Sequence, residues 1–162
     1  MKLVYKIFVL VFASLMLGQS NYSQVYNITT GGTINTCAGT FVDPGGSAGN
    51  YGNNDLYEIT FCSPLPPPLQ IIVDFTFWDV EAGADYLYIY DGPTTASPLI
   101  IGSPFSAIPP GTVTGTSGCI TFVWDSDGAN PFPGWEATIS CGFAPVSCVD
   151  CDTAALIGSL PL

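Results

Sequence analysis

Carboxylates are the side chains in this sequence whose spacing is best suited to chemistry. Four lie close together between residues 79 and 91, and two more follow a later apolar run: Asp79, Glu81, Asp85, Asp91, Asp125 and Asp127. Calcium takes about six to eight oxygen ligands in irregular geometry, so it is the ion that such acids would hold if they converge. The alternative is that Asp91 and Asp127, which precede glycine, are turn residues and that the other acids are solvated.

The rest of the sequence offers these acids no internal counter-charge. The chain has 162 residues with 13 Asp and Glu, 2 Lys and Arg and no His, and both bases lie within the first six positions. A surface without cations cannot neutralise phosphates, which argues against nucleic-acid binding and adhesion to anionic lipid. Without His or a later Lys, the Ser-His-Asp and Cys-His mechanisms, His-ligated zinc or iron and a Schiff base are excluded. A two-carboxylate glycosidase stays chemically open, but Glu58, Asp74 and Glu136 lie within β-prone runs where alternation points them to solvent. We therefore expect no catalytic residues and no enzyme activity.

The N-terminus has the pattern of a secretory signal peptide. Two lysines precede an apolar run of eleven residues, from 7 to 17, and small polar residues follow it. Such a run is too short to span a bilayer. We expect cleavage after Ser20 or Ser23, with Ser23 preferred, and assign residues 1–23 to the signal peptide. No second apolar span follows, which predicts a secreted or cell-surface protein without a membrane span.

Short β-prone runs alternate with turns rich in Gly, Pro and Asn from residue 36 onward. Residues 135–140 alternate between apolar and polar side chains, as in a half-buried antiparallel strand. Eight strands are predicted: 39–43, 56–62, 69–77, 86–91, 98–102, 111–115, 119–125 and 135–141. The expected fold class is all-β, with two antiparallel sheets forming one sandwich domain.

Cysteines after a signal peptide are expected to form disulfide bonds rather than metal sites. Cys37 precedes the first predicted strand and Cys62 ends the second, so we pair them. Cys119 begins one predicted strand and Cys141 ends the next, as two partners in a hairpin would. The predicted disulfides are therefore Cys37–Cys62 and Cys119–Cys141.

Both ends of the mature chain differ in character from this strand pattern. Residues 24–36 are expected to be a polar leader. Residues 142–162 are expected to be a tail or the start of a second module cut short. Cys148 and Cys151 lie in this segment and form either a local disulfide or half-cystines of a following module. A thioredoxin-like redox pair is disfavoured because no βαβ pattern surrounds them.

Five ordered features of residues 37–141 resemble the CUB domain. They are the Cys37 to Cys62 spacing and the segments FWDVE (77–81), DYLYIYDG (85–92), ITFVWDSD (120–127) and GWEA (134–137). The resemblance implies a jelly-roll β-sandwich, in agreement with the strand pattern. In calcium-binding members of that family, the acids at the positions of Glu81, Asp85 and Asp127 hold the ion. The resemblance adds the backbone carbonyl of Ala129 as a further ligand.

Departures from the family pattern bear on this site. The family's second disulfide is absent, because residues 82–84 and Ile101 stand at its positions, and the loop from 81 to 85 is shorter than usual. A Tyr that supports the family's site is expected to be replaced here by Asp55. The Cys119–Cys141 pair resembles a variant found in secreted bacterial surface proteins.

The function implied by the resemblance is that of a secreted, non-catalytic interaction or adhesion module. Calcium would order the acidic loops, and the site would receive a Lys or Arg side chain from an extracellular partner protein. Two alternatives remain: an accessory domain of a secreted hydrolase, or a carbohydrate-binding sandwich that stacks sugars on exposed aromatics. The candidates for that stacking are Trp78, Tyr86, Tyr88 and Tyr90.

Overall fold

Two β-sheets pack face to face in the computed structural model, which describes residues 23–143. The predicted signal peptide up to residue 22, and the segment with Cys148 and Cys151, lie outside the described residues. The strands are β1 (Val25–Asn27), β2 (Gly32–Asn35), β3 (Ala38–Val42), β4 (Leu56–Cys62), β5 (Leu69–Asp79), β6 (Tyr86–Tyr90), β7 (Thr112–Gly115), β8 (Cys119–Asp125) and β9 (Gly134–Phe143). One sheet has the order β1-β3-β9-β5-β7 and the other β2-β4-β8-β6. The predicted all-β jelly-roll sandwich is confirmed.

Aromatic residues from both sheets fill the space between them. In β8, Ile120, Phe122 and Trp124 alternate onto the inner face and are fully buried, as period-2 alternation requires. The ring of Phe122 lies 4.9 Å from Phe41 of the other sheet, between centroids, and Trp124 lies 4.8 Å from Trp135. These tilted and edge-on contacts join the two sheets into one core.

The disulfide pairs differ from both predicted pairs. Cys37 is bonded to Cys141, with Cα atoms 4.9 Å apart, and Cys62 is bonded to Cys119, with Cα atoms 4.1 Å apart. The predictions of Cys37–Cys62 and Cys119–Cys141 are therefore wrong. The reason is the sheet order: β8 and β9 are neighbours in the chain but lie in different sheets. Cys62 and Cys119 instead face each other on the antiparallel pair of β4 and β8.

The N-terminal segment expected to be a polar leader is part of the sandwich. Strand β1 pairs in parallel with β3, and β2 pairs in parallel with β4. Between them a short 3-10 helix places Ile28 in the core. Asn27, the acceptor residue of a formal glycosylation sequon, donates its amide hydrogens to the carbonyls of Asp43 and Pro44 at 2.7 and 3.2 Å. Its side chain therefore fixes this segment to the loop after β3.

The remaining strand predictions agree with the structure to within about two residues, apart from one. The segment predicted as a strand at 98–102 forms only an isolated bridge between Leu99 and Tyr90. Residues up to Phe105 continue along the open edge of β6, where Leu87 and Phe105 exchange two backbone hydrogen bonds of 2.8 Å. None of the helices in the described part of the chain has the length and apolar character needed to cross a membrane.

Candidate metal centre

Three of the predicted acids converge at one end of the sandwich. Glu81 and Asp85 lie in the loop between β5 and β6, and Asp127 follows β8. Because the start of β6 pairs with the end of β8, with Tyr86 opposite Asp125, the two loops must meet. Each of the three acids offers one carboxylate oxygen, and these oxygens lie within 4.8 Å of one another.

The other acids of the sequence cluster do not join this group. Asp91 lies at the far end of β6, where its carboxylate accepts hydrogen bonds from the Thr116 hydroxyl and the Ser117 N–H. Asp79 and Asp125 are exposed at strand ends. Three acids therefore converge, whereas Asp79, Asp91 and Asp125, which are near them in the sequence, do not join them in the fold.

Asp85 is the centre of the cluster, and its side chain is fully buried. One carboxylate oxygen accepts a hydrogen bond of 2.5 Å from the Tyr51 hydroxyl, and the other accepts one of 2.7 Å from the Asp127 N–H. No residue from 23 to 143 is Lys, Arg or His. A buried carboxylate without a cationic partner is costly, and a bound cation would remove that cost.

Tyr51 is a functional residue that the sequence analysis missed. Its hydroxyl donates to Asp85 and accepts the Glu81 N–H at 3.0 Å, and its ring packs edge-on against Trp124. Burial raises the pKa of Tyr51 above its usual range, and the Asp85 carboxylate raises it further, so the phenol remains a donor.

The supporting Tyr expected to be replaced by Asp55 is thus present four positions earlier. Asp55 instead accepts a 2.7 Å hydrogen bond from the Gly52 N–H within its own turn. The only sequence signal for Tyr51 was an isolated aromatic in a Gly- and Asn-rich loop. A loop residue of this kind has no strand alternation that would indicate where its side chain points.

Glu81 and Asp127 keep oxygens that face no donor. Glu81 Oε1 accepts a 2.8 Å hydrogen bond from the Asn130 side chain, whereas Oε2 is buried and has no partner. Asp127 Oδ1 accepts the Ala129 N–H at 2.8 Å. A buried hydrogen-bond acceptor without a donor is uncommon in a folded protein, and a hard cation that takes oxygen ligands would coordinate it. The residues present therefore fit calcium, while the ligand role of the Ala129 carbonyl stays a prediction.

The short loop from 81 to 85 is braced without a disulfide bond. The Ser106 hydroxyl accepts the Gly83 N–H at 2.7 Å and donates to the Glu81 carbonyl at 3.2 Å. The Trp78 indole N–H donates to the Ser106 carbonyl at 2.7 Å. On the other side, the Tyr86 hydroxyl donates to the Gly83 carbonyl at 2.7 Å. Three of these hydrogen bonds hold the loop that carries two of the acids, and the Trp78 bond fixes Ser106 beside it.

The aromatics considered for sugar stacking do not form a flat platform. Trp78 is half-buried, stacks on Trp135 at a centroid distance of 6.1 Å and uses its indole N–H internally. Tyr86 and Tyr88 are half-exposed on β6, but their rings are tilted by 46° at a centroid distance of 6.4 Å. Stacking of one sugar face on both tyrosines is therefore disfavoured.

Short segments of two large proteins are similar in sequence to this chain. No family model matches the chain. Multiple epidermal growth factor-like domains protein 8 of rat, mouse and human is 33% identical to it over 101 residues, which are 62% of this chain and 4% of the relative. Rat cubilin is 29% identical over 113 residues, which are 67% of this chain and 3% of cubilin. The chain thus spans only a few per cent of the length of these relatives.

Solved structures establish the fold. The CUB2 domain of MASP-1 bound to Ca2+ matches with a TM-score of 0.56 and 19% identity, covering 68% of this chain and 97% of that domain. The CUB1-EGF-CUB2 segment of human MASP-1/3 matches with a TM-score of 0.57 and 18% identity, covering 68% and 42% of the two chains. The chain therefore has the CUB fold.

A third solved structure agrees on the fold. The full extracellular region of zebrafish Gpr126/Adgrg6 matches with a TM-score of 0.53 and 12% identity, covering 70% of this chain and 15% of that region.

The location of the protein follows from features of the chain itself. Two disulfide bonds cross-link the described residues, as is usual outside the cytosol. Together with the N-terminal leader pattern, they give a secreted or cell-surface protein.

Proposed function

We propose that this protein is a secreted, non-catalytic interaction module whose acidic end binds Ca2+ through Glu81, Asp85 and Asp127. The observation that carries the proposal is the fully buried Asp85 carboxylate, together with the buried, unpartnered Oε2 of Glu81. The absence of Lys, Arg and His from residues 23–143 leaves a bound ion as the available counter-charge. The Ca2+ bound to the MASP-1 CUB2 domain supports the same assignment.

The proposed partner is an extracellular protein that presents a Lys or Arg side chain. Asp127 is the exposed member of the three acids, so a basic side chain can reach its carboxylate from solvent. The chain has a formal net charge of −11, and its electrostatic field attracts a basic partner and increases the rate of association. The proposal does not include the bacterial variant, because that resemblance used a Cys119–Cys141 pair and Cys119 is bonded to Cys62.

Calorimetric titration with CaCl2 tests the metal site. The wild-type chain should bind one ion with a dissociation constant of roughly 10⁻⁴ to 10⁻³ M, as in extracellular modules. Glu81→Gln keeps the shape of the side chain but removes its charge, and should weaken binding about tenfold or more. Glu58→Gln, an exposed strand acid away from the site, is the matched control and should bind like wild type.

A peptide with a single Lys between glycines tests the partner chemistry. Its binding to the wild-type chain should require Ca2+ and should be lost in Glu81→Gln. Equal calcium affinities of wild type and Glu81→Gln would refute the metal site. Calcium binding without any calcium-dependent peptide binding would retain the metal site and refute the proposed partner.

A further inference from the structure

A second site lies beside the metal centre, on the outer face of the five-stranded sheet. The loop that follows β3 folds back over this face and encloses a pocket of about 370 Å³. Its walls include Asp43, the 46–50 loop, Phe77, Pro133 and Glu136. None of these residues belongs to the group of Glu81, Asp85 and Asp127.

A β-bulge places an aromatic ring and a carboxylate side by side in this pocket. The register between β5 and β9 shifts between Phe75 and Phe77, so that Phe77 pairs directly with Glu136. Directly opposed residues on paired strands present their side chains on the same face, about 5 Å apart at Cβ. Phe77 keeps 47% of its surface exposed, so its ring is accessible to a ligand in the pocket.

The base of the pocket adds a second carboxylate. Asp43 is 1% exposed, and its two oxygens accept the Gly45 N–H at 2.7 Å and the Trp135 N–H at 3.2 Å. Burial raises the pKa of Asp43 to about 6, so its charge is poorly compensated by these donors. A cationic group in the pocket would supply that compensation.

The rim of the pocket is fixed before any ligand arrives. Gly46 has a φ of +71°, which an L side chain rarely adopts, and a Cβ on Gly45 would lie 2.4 Å from the Asn50 backbone. The Asn50 amide donates to the Pro131 carbonyl at 2.7 Å, which fastens the rim to the opposite loop. A preformed pocket reduces the ordering cost of binding.

We propose that this pocket binds an arginine side chain of a partner protein. The planar guanidinium stacks on the Phe77 ring while its N–H groups bond the Glu136 carboxylate, a combination for which arginine is better suited than lysine. Residues 23–143 contain no Lys, Arg or His, so none of their side chains competes with a partner's arginine for the carboxylates of the pocket.

The loop at 130–133 borders both sites and would let one partner engage both. Asn130 contacts Glu81 of the metal centre, and Pro133 lines the pocket. A partner that reaches the metal centre with one basic side chain would place a second in the pocket. The residues that line the pocket are different from the proposed calcium ligands.

Amide NMR shifts on the full chain with its disulfides formed, recorded in chelator, test the pocket independently of calcium. The probe is Nα-acetyl-L-arginine methylamide, and its citrulline analogue serves as the neutral isostere. The arginine probe should give saturable shifts confined to residues 45–50 and the strands around Phe77 and Glu136. The citrulline probe should bind several-fold more weakly.

Phe77→Ala and Glu136→Gln should each weaken binding of the arginine probe roughly two- to fivefold, the range expected for an exposed cation-π or ion-pair contact. The matched controls are Phe143→Ala, which removes a ring that is 71% exposed at the end of β9, and Glu58→Gln on the other sheet. Both controls should bind like wild type.

Three results would overturn the inference. Shifts spread over the surface without saturation, or equal losses in the controls, would mean general attraction of a cation to an acidic protein. Shifts at the same amides with methyl glucoside but not with the arginine probe would make the pocket a sugar site. Because all titrations are run in chelator, a failure of the proposed calcium site cannot produce any of these results.

Discussion

At the residue scale, the candidate site depends on one hydroxyl. Tyr51 joins the loop after β3 to the loop between β5 and β6, since its oxygen contacts both the Asp85 carboxylate and the Glu81 N–H. A carboxylate as buried as Asp85 must be hydrogen-bonded in the folded chain even before a cation binds. Tyr51 therefore positions the site, whereas the acids themselves would contact the ion.

Replacing Tyr51 by Phe removes only this hydroxyl and leaves the Asp85 oxygen without its donor. We expect the free energy of unfolding to fall by about 1 to 3 kcal/mol in chelator and the calcium affinity to fall as well. Urea unfolding and calorimetric titration measure the two effects. Tyr88→Phe, a half-exposed tyrosine on β6, is the control and should change stability by no more than about 0.5 kcal/mol. Similar losses in both variants would contradict the positioning role.

At the element scale, strand order determines what the chain brings together. The end of β8 and the start of β6 are paired, which joins Asp127 to Asp85 across 42 residues of sequence. The other ends of the same sheets carry the two disulfide bonds. Cross-links at one end of the sandwich leave the loops at the opposite end free to form binding sites.

Serine variants test the cysteine pairing directly. Cys37→Ser/Cys141→Ser removes one complete disulfide, so it should add no free thiol and should cost roughly 2 to 5 kcal/mol of stability. Cys37→Ser/Cys62→Ser removes one half of each disulfide, so it should add two free thiols. Thiol titration of the denatured chains distinguishes these outcomes. The reverse result would restore the pairs expected from the order of the cysteines in the sequence.

At the scale of the whole molecule, the negative charge of residues 23–143 has no internal compensation. The folded chain holds its acids together with no base among residues 23–143, so folding concentrates like charges that the unfolded chain keeps apart. Burial acts separately on Asp43, since removal from water raises its pKa from 3.8 to about 6 although backbone N–H groups oppose the rise. Between these two values the folded state holds a proton that the unfolded state has released.

The stability from Asp43 should therefore be fully present below about pH 4 and be lost as the pH rises through about 6. We expect this to lower the free energy of unfolding in chelator by roughly 2 to 3 kcal/mol over that interval. Asp43→Asn should flatten the pH dependence, although it also loses an acceptor and starts from a lower stability. Asp74→Asn, an exposed strand acid, should retain the wild-type slope. Urea unfolding from pH 4 to 7 measures the free energy of unfolding of each variant. If Asp43→Asn kept the wild-type dependence on pH, the assignment of that dependence to Asp43 would be wrong.

The sequence by itself determined the fold class, and its resemblance to the CUB domain selected the three acids that converge. Short β-prone runs bounded by turn residues predicted strands such as Leu56–Cys62 and Cys119–Asp125 with their observed bounds. The absence of bases after residue 6 predicted an uncompensated acidic surface, since charge is a property of composition.

Only the tertiary structure decided the disulfide pairs, the support by Tyr51, the parallel strands of the N-terminal segment and the pocket beside Phe77. These features depend on which strands become neighbours after folding. In this sandwich β8 and β9 follow each other in the chain yet lie in different sheets, while β4 and β8 are paired across a sequence separation of 57 at their cysteines. A local sequence pattern indicates which side chains of a strand are buried. It does not indicate which other strand lies beside it.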